Sequence, residues 1–452
     1  MTEDPVARVL VPRRLLALAA VGATLLVLSA WLVWRQYRTR DDAVGLGPAR
    51  TAWPMAHCDA LHSRRAAVHA PGRPRVLLSA ALDGLSSSGL AIGTGGEVVV
   101  GTTSGWLGGI PVRATASAVG SDGGAATAPW ALDLAAPPWG TPAVRADGGL
   151  YVTLPGGVLV AVRPAAGELW RRRFPAEITS PTVAADGTVI LGTSGGEVYA
   201  LLPLGDPDWF VTVGATVSLP PTMLPNGDLV IATDDSQLHY ISAHGSVVWT
   251  VGLNSAAAQV AAERLIYVAG DNGDLDAYGF DGQERWTLPL ADALVGIAID
   301  QDGSIYASGT TSPRDRGGRP AIARPAERGA FLYGAEPEGK LKWSFELEDT
   351  PLAPIVTGDG TILVATGGEF GLSTRSRVYA VDRDGKGLWT YDPPDVAGYV
   401  SDMVPAGDAI LCLLVRGQAP SASAGGTGQA YPGRVLVLTT DASQPQPYSP
   451  PE

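Results

Sequence analysis

The densest group of chemically capable side chains is "HCDALH" at 57–62, where His57, Cys58, Asp59 and His62 are all metal-ligand types. Such donors in one short run raise a metal site as a candidate. A second run, "DNGDLDAYGFDG" at 271–282, looks calcium-like but lacks the D-x-[DN]-x-[DN]-G spacing of an EF-hand loop. Asp271, Asn272 and Gly273 read more simply as a turn between two strands. His239 and His244 lie in and beside an ordinary hairpin, which suits a core or surface histidine better than a catalytic one. Cys58 and Cys412 form no CxxC, which argues against a structural zinc centre or a dithiol redox pair. No nucleophile, base and acid can be assembled from spacing. No catalytic, cofactor or metal residue is assigned.

The elements that would position these residues repeat. Trp130, Trp170, Trp209, Trp249 and Trp286 are 40, 39, 40 and 37 residues apart, and Trp343 and Trp389 follow after 57 and 46. Each ends a similar phrase, as in "AVRPAAGELW" (161–170), "AYGFDGQERW" (277–286) and "AVDRDGKGLW" (380–389). A period near 40 in a strand-rich chain predicts propeller blades of four strands. Residues 180–214 give one unit: "SPTVAADG", "TVILGT", "GEVYALL" and "WFVTVG". Each phrase is then the hairpin from third to fourth strand, with the tryptophan starting the outer strand and filling the gap to the next blade. The tryptophans are therefore structural.

Eight blades are expected, at about 84–138, 139–176, 177–214, 215–253, 254–291, 292–349, 350–393 and 394–442. The last lacks a fourth strand ending in Trp. "PRVLLSAAL" (74–82) matches "GELWRRRF" (167–174), with Leu78 in place of the tryptophan, so the two ends of the ring share one blade and no sheet edge stays open.

Composition agrees. The 452 residues hold 57 glycines and 36 prolines, with 17% charged residues, which suits short strands joined by turns. A net charge of −13 argues against nucleic acid as a partner. Residues 15–34, "LLALAAVGATLLVLSAWLVW", run twenty residues without a charge, long enough to cross a bilayer as a helix. A cleaved signal peptide usually has a shorter apolar core and small residues before its cut. The run continues to Trp34 and no Cys follows it to carry a lipid, so an uncleaved transmembrane anchor is the reading. Arg8, Arg13 and Arg14 balance Arg35, Arg38 and Arg40, so charge does not set the orientation. The division expected is a cytoplasmic tail (1–14), the anchor (15–34), a linker and lead-in segment (35–72), the propeller (73–441) and a disordered Pro-rich tail (442–452).

The phrase A-x-D-x-x-G-x-x-x-W, complete in Ala380, Asp382, Gly385 and Trp389, resembles the PQQ-like (quinoprotein-type) β-propeller repeat. "WPMAHCDALHSRR" (53–65) is similar to the bacterial lead-in pattern W-P-M-x-x-x-D-x-x-H-T-G through Trp53, Pro54, Met55, Asp59 and His62, with Ser63 and Arg64 in place of Thr-Gly. That pattern already accounts for Asp59 and His62 without a metal. The resemblance spans about 53–441 and implies an all-β propeller on the periplasmic or outer side of the cytoplasmic membrane. It leaves two functions open, because fold does not fix function. One is a PQQ-dependent dehydrogenase, whose family enzymes hold the quinone between a tryptophan floor and a disulfide of adjacent cysteines, with calcium and an acidic base alongside. This chain has no adjacent cysteines and no CxxCH for haem. The other, preferred here, is a cofactor-free scaffold tethered to the membrane and binding an envelope protein or glycan.

Two further expectations follow from blade positions. A disulfide between Cys58 and Cys412 would staple the ring closure, the alternative being a small buried residue at 412. Three insertions between second and third strands, 311–330, 367–376 and 416–433, fall on neighbouring blades and one face. Arg314, Arg316, Arg319, Arg324 and Arg328 fill the first; Arg375 and Arg377 border the second; Arg416 and Arg434 bracket the third. A basic rim on an acidic protein suggests a partner surface for an acidic protein, anionic lipid or glycan. The alternative is a solvated set of loops.

Overall fold

The computed structural model describes residues 47–112, 130–311, 329–367, 376–393, 398–417 and 433–440. These form eight sheets, each of four antiparallel strands with one further parallel strand on blade 7, the blades of a β-propeller. Blade 4 is typical: its strands Thr222–Met223, Leu229–Thr233, Gln237–Ile241 and Val247–Gly252 run in order from the axis outward. Second and third strands are mostly apolar because both their faces lie against neighbouring blades; Leu229–Thr233 and Ile266–Gly270 are fully buried. Fourth strands alternate, as in Glu284–Pro289, because one face meets solvent.

Ring closure follows the sequence expectation. Pro74–Ala81 is the outer strand of blade 8, paired to Arg434–Thr440, while Gly398–Gly407 and Ile410–Gly417 complete the sheet. A bulge falls just before Leu78, as it does before Trp170 in blade 2, so Leu78 takes the tryptophan position.

The tryptophans pack between blades. All but Trp130 stand third or fourth in the outer strand rather than first. Trp209, Trp249, Trp286 and Trp343 lie on Gly245, Gly282, Gly339 and Gly385 of the next blade's hairpin turn, where a Cβ would come within 2.4–3.0 Å of the indole. Each also donates its indole N–H to a carbonyl in that turn, at Ala243, Phe280, Pro337 and Arg383, over 2.8–3.0 Å. The phrase recurs because its glycine receives one tryptophan and its own tryptophan docks onto the next glycine. Two blades depart. Trp130 donates to Glu97 within its own blade, and the Trp170 N–H has no acceptor, while the Tyr151 hydroxyl donates to the Pro203 carbonyl.

The expected disulfide does not form. Cys58 and Cys412 are both free and buried. The Cys58 thiol points to the Arg65 carbonyl at 3.1 Å, and Cys412 lies inside the blade 8 core. The anchor expected at 15–34 and the tail expected at 442–452 lie outside the described residues; among those described, no helix is long and apolar enough to cross a membrane.

Candidate functional site: the strapped axis and the opposite rim

Residues 47–69 do not simply lead into the ring. They lie across its axis as a strap that caps the inner strands. Amides at the ends of six inner strands, Ile92, Val144, Met223, Ala262, Ile299 and Val356, donate to strap carbonyls at Trp53, Pro54, Ala60, Leu61, Ser63 and Arg64. Arg65–Ala66 adds a short parallel strand to blade 7, and the Ala409 amide of blade 8 reaches the His69 carbonyl. Blade 3 is met through Thr182, whose hydroxyl lies 3.5 Å from His62 Nε2. One segment thus ties together all eight blades.

Following eight different strand ends demands a sharply turning backbone. His57, Cys58, His62 and Arg64 all have positive φ, 56°, 80°, 57° and 50°. Non-glycine residues hold such angles only where surrounding bonds over-determine them, at about 1–3 kcal/mol each. Asp59 is one such bond-giver: its carboxylate accepts the Ser63 amide at 3.0 Å and the Ser63 hydroxyl. This explains Asp59 and Ser63 without a ligand.

The four candidate metal donors therefore do not converge. Asp59 turns to Ser63 and Cys58 to backbone carbonyls. His62 places Nδ1 2.9 Å from the Thr222 hydroxyl, whose own proton goes to the Val260 carbonyl. His57 meets His62 edge to face, ring centroids 4.7 Å apart. Among the described residues no three His, Cys, Asp or Glu side chains are placed to hold a metal ion. Burial disfavours charge throughout: it holds His57 well below the usual histidine range and pushes His62 down to about 4, while it raises Cys58 and Asp59.

A cation lies buried in the strap. Arg64 is 8% exposed; its Nε donates to the Pro354 carbonyl at 2.8 Å, Nη2 to Ala353 at 3.2 Å, and its guanidinium lies 5.3 Å from the Trp53 ring centre. Asp402 supplies negative charge nearby, its oxygens accepting from the Leu90 and Met403 amides. Gln259 joins blades 5 and 6 through both atoms of Ile297 and also reaches the His62 carbonyl. Sequence reading missed Asp402, Gln259, Thr182 and Thr222. Their signal is a polar residue on an inner strand where an apolar one would otherwise face the axis.

These residues do not fit a quinone. The only two cysteines are not adjacent in the sequence, and each is a free, buried thiol. Most of the axial polar groups are committed to the strap and inner strands, the buried His57 Nδ1 being an exception among the described residues. The axis reads as a keystone.

The three insertions leave from strand ends on the opposite face. Strand ends Thr311 and Gly329, Thr366 and Arg377, and Gly417 and Arg434 place all three insertions at second-to-third connections of blades 6, 7 and 8. The strap caps the other face, where first-to-second and third-to-fourth connections lie. Arg314, Arg316, Arg319, Arg324, Arg328 and Arg375 lie outside the described residues. Arg377 is engaged: it pairs with Glu348 and with Asp392, whose Oδ2 accepts from Nη2 at 3.0 Å.

Eight four-stranded blades, the tryptophan–glycine docking and the lead-in strap together define a PQQ-like β-propeller, and the chain belongs to that family. The family described as outer membrane protein assembly factor BamB matches residues 112–259 and 234–392. BamB of Nitrosomonas eutropha is 31% identical over 152 residues, 33% of this chain and 36% of that protein, so the match spans about a third of the relative's length. Among solved structures, the quinohemoprotein alcohol dehydrogenase of Comamonas testosteroni aligns over 90% of this chain and 83% of its own, with a TM-score of 0.63 and 13% identity. BamB from Moraxella catarrhalis aligns over 82% and 99%, with a TM-score of 0.51 and 16% identity. At such identities the structures speak for the fold alone.

Proposed function

We propose that this chain is a membrane-anchored, non-enzymatic propeller scaffold that holds a protein or glycan partner in the cell envelope. The carrying observation is the asymmetry of the disc. One face is capped by a strap whose polar groups are spent on structure, and the long insertions gather on three adjacent blades of the other. A relative named as an assembly factor supports a role in holding proteins together. In this reading residues 15–34 form a single pass through the cytoplasmic membrane, with the propeller on its periplasmic or extracellular side. Arg314, Arg316, Arg319, Arg324, Arg328 and Arg375 face the partner, and Arg377 supports the root of their rim.

The decisive test replaces Arg314, Arg316 and Arg319 with Ser and repeats capture of envelope partners from crosslinked membranes. Capture should fall while the melting temperature stays nearly constant; unchanged capture rejects the rim. A reporter fused after residue 50 checks topology, and activity there only in the cytoplasm would reverse it. The dehydrogenase reading has the fold likeness alone in its favour. Absorbance and metal analysis of the purified protein should give neither quinone nor calcium.

A further inference from the structure

Two equivalent clefts open between neighbouring blades on the strap face, each above a docked tryptophan. Between blades 5 and 6 the cleft is about 430 Å³, walled by Tyr267 and Trp286, with Glu263 and Glu338 balanced by Arg264 and Arg285. Between blades 3 and 4 it is about 620 Å³, and repeat register puts Ile190 where the other has Tyr267. Blades 2, 5 and 6 all carry tyrosine at that point of the second strand. Tyr151, Tyr267 and Tyr306 lie 5.7–5.9 Å, centre to centre, from the tryptophans of their own blades. Blade 3 leaves Trp209 without that ring. Its cleft reaches inward past Ile190 and is rimmed by Asp186, Asp208 and His244, with no arginine or lysine lining it. The space suits an aromatic side chain flanked by positive charge.

The chain supplies such a segment at the cleft's edge. Gly47, the first described residue, lies against the Ala185 carbonyl, so close that a Cβ on Gly47 would fall 2.5 Å from it, and Ala185 lines the cleft. Immediately before Gly47 comes "RQYRTRDDAVGL" (35–46), with Tyr37 between Arg35, Arg38 and Arg40. Nine residues lie between Tyr37 and Gly47, ten chain steps with a reach of up to about 33 Å.

We propose that the cleft between blades 3 and 4 is the docking site for the chain's own linker, with Tyr37 taking the place of the missing ring over Trp209 and the flanking arginines facing Asp186 and Asp208. The inference rests on the anchored reading above. It adds an orientation: a linker folded onto the strap face turns that face to the membrane and points the insertion rim away from it, toward partners. The tether is then a short, fixed strut.

The test uses the full-length chain in its own membranes, with the photo-crosslinker benzoylphenylalanine placed at position 244. Irradiation followed by peptide mass spectrometry should give a link to 35–46 of the same chain. Ile190→Tyr, which restores the ring found in three other blades, should cut that yield about tenfold, and Tyr37→Ser should do the same without touching the propeller. A link to a second copy or to another protein overturns the proposal, as does no link at all. Partition between membrane and soluble fractions is scored in parallel: loss of membrane retention with the crosslink intact refutes the anchor and leaves the docking standing, and the reverse refutes the docking alone.

Discussion

The two faces of the disc obey different rules. On the strap face the third-to-fourth hairpins of blades 4 to 7 each present a glycine to one tryptophan and a carbonyl to its N–H, so their geometry is copied from blade to blade. On the insertion face the second-to-third connections carry no such duty. Some are tight, as at Thr193–Gly196, and three are long. A repeat fixes only the positions that touch the next repeat. Variation, and with it recognition, collects where blades do not dock.

The contrast breaks most completely if the strap is not a keystone. Arg64→Ala would leave the Pro354 and Ala353 carbonyls without a donor and remove the buried cation near Asp402. A loss of about 3–5 kcal/mol is expected, by analogy with breaking a buried charged pair. Denaturant unfolding checks it. A cost below about 1 kcal/mol, the usual scale of a surface change, would make the strap a passenger. A strap that ties all blades should also hold their unfolding in one transition, which Arg64→Ala should broaden.

Acid offers a second route to the same segment. His62, pushed down to about 4, and His57, also depressed, are neutral in the fold, whereas in the unfolded chain they titrate near 6.5. Between those values the unfolded chain binds more protons, so stability falls as pH drops. His62 alone accounts for about 3 kcal/mol of loss from pH 7 to pH 4. Asp59 and Asp402, raised by burial, act in the opposite sense, because protonation relieves their desolvation. The melting temperature should therefore decline below about pH 6.5, the ordinary histidine value. His62→Gln should flatten the decline; an unchanged profile would move the acid sensitivity elsewhere.

Legibility in the sequence followed the same division. The ring closure by 74–82, the blade count and the tryptophan hairpins were readable because docking forces a repeated phrase, and Leu78 could be placed even without its indole. The strap's path was not readable. Each of its bonds joins a residue in 47–69 to a distant strand end, such as Arg64 to Val356, and leaves no local period. "HCDALH" resembled ligands because turning residues and metal donors draw on the same side chains. The Cys58–Cys412 disulfide failed for a similar reason: nearness in blade order said nothing about thiol direction, and Cys58 turns toward its own strap.

The docking rule itself can be sharpened with paired glycines. Gly245 and Gly227 both have positive φ, 80° and 87°, and both sit in blade 4 turns on the strap face. A Cβ at 245 would meet Trp209 at 2.6 Å, while one at 227 meets nothing within 4 Å. Gly227→Ala should cost about 1 kcal/mol, the backbone strain alone. Gly245→Ala should cost about 1–3 kcal/mol more, the usual toll of overpacking, with Trp209 fluorescence altered only in the second. Equal costs would mean that the indole slides aside freely, and the repeated phrase would need another cause.

The smallest expected effect lies within the rim, and it separates framework from recognition there. Arg377 bridges Glu348, beyond the outer strand of blade 6, and Asp392, beyond that of blade 7. These carboxylates hold its guanidinium above the usual arginine range, with Asp392 the larger cause. The site is partly open to water, so Arg377→Ser should cost only about 0.5–1 kcal/mol, and less in high salt. The Arg314, Arg316 and Arg319 triple variant should stay within about 0.5 kcal/mol of the parent, yet lose partner capture, which Arg377→Ser should weaken less. Chemical denaturation and capture, measured side by side, give each variant a coordinate on both axes. If the triple variant lost as much stability as Arg377→Ser and kept its partner, those arginines would belong to the frame, and recognition would have to be sought on another part of the disc.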